Sequence, residues 1–290
     1  MPPSLDTRGD IAAAQLAFYV PIAVITFFFT VRHAFEKDAG QTNNSYPFRN
    51  PSFNRELIQA SSFYSSFLLS FTVRITGGAL IIAAELVQPS VVDLFLAAYI
   101  LFPAGLAILM LAFLGFLGLA GQHTVSEYRR TTYLLRLIAF IAVAALALSI
   151  AGGLLGTHVN PDAHTGLILR RVAAGMYGGT YLLLVGATFM NWSYSGLMRT
   201  FRRNLLGGLT LALLPLGVRA AYAILDAWSS SDIFGAELSS NPALAKLNPI
   251  TGNFIFYLVL GLVMEYIVAI ICLFFSTIGM QRRRRRHHRH

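Results

Sequence analysis

Residues 91–119 read VVDLFLAAYILFPAGLAILMLAFLGFLGL. After Asp93 the stretch carries no charge at all. At about 1.5 Å of rise per residue, a helix of this length exceeds the ~30 Å hydrocarbon layer of a bilayer. Six further runs have the same character, which gives candidate spans near 11–31, 57–86, 91–119, 132–156, 167–194, 205–228 and 251–280. The fold class expected is all-α: a polytopic seven-transmembrane helix bundle. One membrane domain is expected over 1–280, followed by a polybasic tail over 281–290.

Composition leads to the same class. Of 290 residues, 56% are hydrophobic and 12% charged, and the mean hydropathy is +0.61. Soluble domains carry about twice that charged fraction. The net charge of +9 does not indicate a nucleic-acid binder, because six of the 22 basic residues fall in the last nine positions. Cys272 is the sole cysteine, so no internal disulfide can form. The polar start Met1–Asp10 lacks the pattern of a cleavable signal peptide.

Orientation is read from where Lys and Arg fall. Fifteen lie in the segments after spans one, three, five and seven, including Arg282–Arg286; four lie on the other side. The N-terminus is therefore expected outside or lumenal and the C-terminus cytosolic. Asn43 and Asn191 both sit in glycosylation acceptor patterns but would face the cytosol and stay unmodified. The Arg282–Arg286 tail is expected to attract anionic lipid. The spacings of Gly152, Gly153 and Gly156, and of Gly175 and Gly179, suit close helix contact.

Charges inside a bilayer need a partner or a wet cavity. Arg74, Arg219 and Glu265 lie deep within spans two, six and seven, at overlapping depths. A Glu265–Arg219 or Glu265–Arg74 pair would neutralise them. Asp10, Glu85, Asp93 and Asp226 form a second acidic group towards the outer side. Glu85 follows Arg74 by about three turns, and Arg219, Tyr222 and Asp226 share one helical face. With 22 Phe and 12 Tyr, these residues describe a polar, aromatic-lined cavity. His158 and His164 lack a third well-spaced ligand, so no metal is expected. Phosphate-loop, nucleophile-elbow, HExxH and Asp-rich magnesium motifs are absent from the chain, and no cofactor is expected.

Several patches resemble a fungal seven-transmembrane family of unknown function. They are the run from Asp10 to Pro21, with Arg32-His33 after span one, and Arg74-Ile-Thr-Gly77 in span two. Pro215-Leu-Gly-Val218-Arg219-Ala-Ala-Tyr222 in span six and Met264-Glu265 in span seven complete the set. Ala34 stands where Gly is typical, and residues 41–51 are an insertion rich in Asn, Ser and Pro. The resemblance implies the seven-span fold, a fungal source and importance for Arg74, Arg219, Tyr222 and Glu265. In size and span count the chain is also similar to fungal membrane-bound terpene cyclases, an analogy of architecture.

That analogy frames the functional expectation: a membrane enzyme of secondary metabolism, cyclase-like, protonating an epoxidised prenyl chain with a membrane carboxylic acid. Aromatic faces would shelter the carbocation. The substrate would be a hydrophobic prenylated molecule entering from the bilayer, in the endoplasmic reticulum rather than the plasma membrane. Glu265 is the first candidate acid, with Asp226, Asp93 and Glu85 as competitors and Arg74, Arg219 and Tyr222 as charge partners in the cavity. If Glu265 is ion-paired, an outer acid must donate the proton. The alternatives are an orphan seven-span receptor, for which the cytosolic connections are short, and a lipid or small-molecule transporter, for which repeats and matched helix breaks are missing.

Overall fold

A computed structural model describes residues 7–42, 51–87, 92–121, 129–156, 162–198, 200–230, 239–249 and 251–287. These residues form α1 (Thr7–Thr42), α2 (Pro51–Leu86), α3 (Val92–Ala120), α4 (Arg129–Leu155), α5 (Asp162–Ser193) and α6 (Thr200–Ala227). A short α7 (Pro242–Ala245) follows. Then α8 (Phe254–Phe256) continues through a π-helical stretch, Tyr257–Val263, into α9 (Met264–His287). Among the described residues seven helices are long and apolar enough to cross a membrane, the seventh being the π-to-α9 run Tyr257–Ser276. The protein is a multi-pass membrane protein. Several helices outrun the expected spans; α1 continues past Val31 to Thr42, and α9 carries helix through Arg282–Arg286.

Successive long helices alternate in direction. The end where α1 starts and α2 stops is called the upper end below, and α9 finishes at the lower end. Helix α3 is the central post: 72% of its apolar window is buried, against 22% for α4 at the rim. It touches α2, α4, α5, α6 and α9. This burial follows from a sequence that is apolar all round rather than on one stripe.

The core divides by height. In the lower half, Phe67 of α2 meets Phe116 of α3 at 5.3 Å between ring centres, and Tyr64 meets the same ring at 5.9 Å. Aliphatic side chains of α6 and α9 complete this large cluster. The upper half holds a smaller cluster built on Phe102, Tyr222 and Tyr257. Several threonine hydroxyls within the bundle bond back to their own helix, as Thr26 does to Ile22, Thr180 to Met176 and Thr188 to Leu184.

Glycine sets the approach of α4 to α5. A Cβ at Gly152 would lie 2.9 Å from the Gly166 carbonyl oxygen and the Arg170 amide. One at Gly166 would lie 2.5 Å from the Gly156 amide nitrogen. Backbones therefore touch there, as the 152–156 spacing predicts. The other pair differs: Gly175 and Gly179 have nothing within 4 Å of a Cβ. Gly175 faces away from the bundle, so among the described residues no helix closes on the 175–179 motif.

Candidate functional site

Three helices bring their deep charges to one point. Glu265, the second residue of α9, accepts from Arg219 Nε of α6 at 2.6 Å and from Arg74 Nη2 of α2 through the same Oε1 atom. All three side chains are at most 5% exposed. Both pairings read from the sequence therefore form, and they form at once. Tyr19 of α1 adds its hydroxyl within 3.4 Å of Glu265 Oε2 and of the Leu262 carbonyl. Leu262 belongs to the π stretch, whose wider turn loosens the ordinary helical ladder.

Neighbouring residues shape the seat of this cluster. Gly105 of α3 is required by Arg74, since a Cβ there would come within 2.6 Å of the guanidinium Nε. The Gln15 amide donates to the Arg74 carbonyl at 2.6 Å, tying α1 to α2. The Phe102 ring lies 5.6 Å from the Arg74 guanidinium carbon, and Tyr222 lies 5.7 Å from that of Arg219. A desolvated guanidinium gains from such ring faces.

Above the cluster lies a cavity of about 90 Å³, large enough for several water molecules. Its walls are Tyr99 and Phe102 of α3, Tyr177 of α5, Tyr222 of α6 and Tyr257 of the π stretch, and Arg219 is part of its lining. Pro103 also lines it and removes the amide that would bond the Tyr99 carbonyl. Towards the upper end, Arg170 donates to Asp226 at 3.1 Å, with side chains 21% and 24% exposed. The glycine contact between α4 and α5 is what carries Arg170 to this rim. Beside it, the Arg171 guanidinium stacks 4.5 Å from the Trp228 ring.

The candidates read from the sequence thus separate. Arg219, Tyr222 and Asp226 line one cavity, as their common face predicts. Glu265 and Arg74 lie beneath it. Glu85 sits half-buried near the end of α2 and is not among the residues lining the cavity. Asp93 stands in the first turn of α3, and Asp10 is exposed near the start of α1. His164 is exposed, while Asn43 and His158 lie outside the described residues. No group of three or more His, Cys, Asp or Glu side chains could hold a metal among the described residues. Asn191 is buried and bonds back to the Ala187 carbonyl at 3.0 Å.

Sequence reasoning misses three contributors. Arg170 is the partner of Asp226, yet in the sequence it counts only as a flanking positive charge. Tyr19 and Tyr257 are two of twelve tyrosines, and neither stands near a charge in sequence. The one available signal is that Tyr257 falls eight residues before Glu265, about two turns.

Residues 55–285 match a family described as a domain of unknown function, DUF7702, and the chain belongs to it. The match takes in Arg74, Arg219, Tyr222 and Glu265 and begins after α1. No curated protein and no solved structure matches the chain.

Proposed function

We propose, for a chain whose family carries no assigned activity, that this membrane protein binds an amphipathic small molecule. Its polar end enters the upper cavity and its apolar part lies among the helices or in the bilayer. One observation carries the reading: the cavity combines an aromatic wall with the buried Arg219 and the rim pair Arg170–Asp226. Small-molecule sites are mostly apolar concavities with a few convergent polar groups, and this one has that makeup. Below it the core is packed with Phe, Leu and Ala side chains, which disfavours a path through the bundle and hence the transporter alternative. In the orientation favoured by the basic residues, the cavity opens to the outside or lumenal face.

A test is to incubate the purified protein with an extract of host small molecules and identify what stays bound by mass spectrometry. Wild type should retain a molecule that a cavity-filling Ala223→Trp variant does not. Equal retention by both would refute the reading.

The cyclase reading stands second, favoured by Asp226 facing an aromatic cavity. Glu265, shared by two guanidiniums, then acts as a positioning residue, and Asp226, once parted from Arg170 at the partly exposed rim, as proton donor. The chemistry is isomerisation: the acid opens the epoxide, the chain closes on the cation, and a proton is lost, so mass is unchanged. Deleting the gene should replace one compound by an isomer of equal mass, restored by wild type and not by Asp226→Asn. Restoration by Asp226→Asn removes this acid from the mechanism.

A further inference from the structure

Charge counting beneath the cavity gives an imbalance. Two guanidiniums, Arg74 and Arg219, face one carboxylate, Glu265, at nearly complete burial. A net buried charge in a low-dielectric interior calls for a counter-charge. The carboxylate that lines the cavity above, Asp226, is already held by Arg170 at 3.1 Å. The same place has unused donors. Glu265 engages Arg219 through Nε alone, and the two Nη groups of Arg219 have no hydrogen-bond partner among the described residues. Tyr257, 7% exposed, has a buried hydroxyl with no partner among the described residues. Arg219 and Tyr257 both line the cavity.

From this we infer that the cavity floor is an oxyanion site: the Arg219 Nη groups and the Tyr257 hydroxyl hold a carboxylate or phosphate group, which supplies the missing negative charge. The planar guanidinium presents paired donors that match two oxygens of such a group. The cavity, at about 90 Å³, has room for such a headgroup. The inference rests on the cavity-binding reading and narrows its ligand to an amphiphile with an anionic head.

The test uses the full chain in a neutral detergent and four probes of equal tail length: dodecanoate, dodecyl phosphate, dodecanol and dodecylamine. Inorganic phosphate serves as a tail-free control that separates a free anion from an amphiphile. One or both of the anionic amphiphiles should raise the thermal unfolding midpoint, while dodecanol and dodecylamine should not. Phosphate alone raising it equally would keep the oxyanion site and remove the amphiphile. Tyr257→Phe should weaken anion binding about ten- to a hundredfold, the range for a hydrogen bond to a charged group. It deletes a hydroxyl that has no partner among the described residues, so the unliganded variant should unfold no earlier than wild type. Dodecanol binding as tightly as dodecanoate would overturn the anion assignment and leave the cavity reading standing. Anion binding unaffected by Tyr257→Phe would overturn the assigned donors. No stabilisation by any probe would overturn both.

Discussion

Two ion-paired sites stacked in the upper half of the bundle use the same chemistry at different depths. Arg170–Asp226 at the rim keeps about a fifth to a quarter of its side-chain surface exposed. Arg74–Glu265–Arg219, beneath it, keeps almost none. In the rim pair, water remains an alternative partner for both groups, so the attraction is screened and the pair can open at small cost. In the buried cluster no such alternative exists, and removing one member leaves the others stranded. The difference identifies the buried cluster as the structural knot of α2, α6 and α9, and the rim pair as the movable element next to the cavity.

Substitutions at the two sites should differ in the size of their effect and in its salt dependence. The largest effect is expected for Glu265→Ala, which leaves two guanidiniums facing each other in the core. Loss of one partner from a buried network costs about 3–5 kcal/mol, so the variant should lose most of its folded yield after detergent extraction. Near-normal yield would mean that water reaches the cluster. Gly105→Ala is next, because the new methyl group collides with the Arg74 guanidinium. Overpacking of this kind costs about 1–3 kcal/mol, visible as a lower unfolding midpoint. Gly175→Ala, with open space around it, should leave the midpoint unchanged.

Tyr19→Phe removes one weak hydroxyl contact to Glu265 and to the Leu262 carbonyl. A loss of about 0.5–1.5 kcal/mol is expected, and a larger one would promote Tyr19 to a full member of the knot. Among substitutions that remove a polar contact, the smallest effect belongs to Arg170→Ala. Its pair is worth up to about 1 kcal/mol and weakens with salt. The difference between wild type and Arg170→Ala should therefore shrink between low and high ionic strength, whereas the Glu265→Ala deficit should not. A salt-insensitive Arg170 effect would place the rim pair in a drier setting than its exposure indicates.

The deep cluster is legible in the sequence because a charge in an apolar run is conspicuous, and Arg74, Arg219 and Glu265 are the charges placed deepest. Asp226 is legible as a cavity residue because Arg219, Tyr222 and Asp226 repeat at helical spacing. Glu85 satisfies the same arithmetic relative to Arg74, yet it does not reach the cavity. Spacing places two residues on one face without saying what that face meets at each height. The π stretch is invisible, since no residue type marks it, and Tyr257 is hidden with it. The contrast between Gly152, locked against α5, and Gly175, open on its helix, has the same cause. Small residues permit contact, but the partner surface decides whether it occurs.

The bundle divides by height, with a cavity open to polar ligands above the cluster and a dry core below. Two positions on α6 report on it directly. Ala223 lines the cavity, and Ala212, about three turns away, is fully buried in the lower core. The only native thiol, Cys272, is buried, so the background is clean. Ala223→Cys and Ala212→Cys should be treated in sealed vesicles with a small charged thiosulfonate, applied from each side in turn. The predicted result is rapid labelling of the thiol at 223 from one side only and none at 212. Labelling at 212 as fast as at 223, or at neither, would contradict the division.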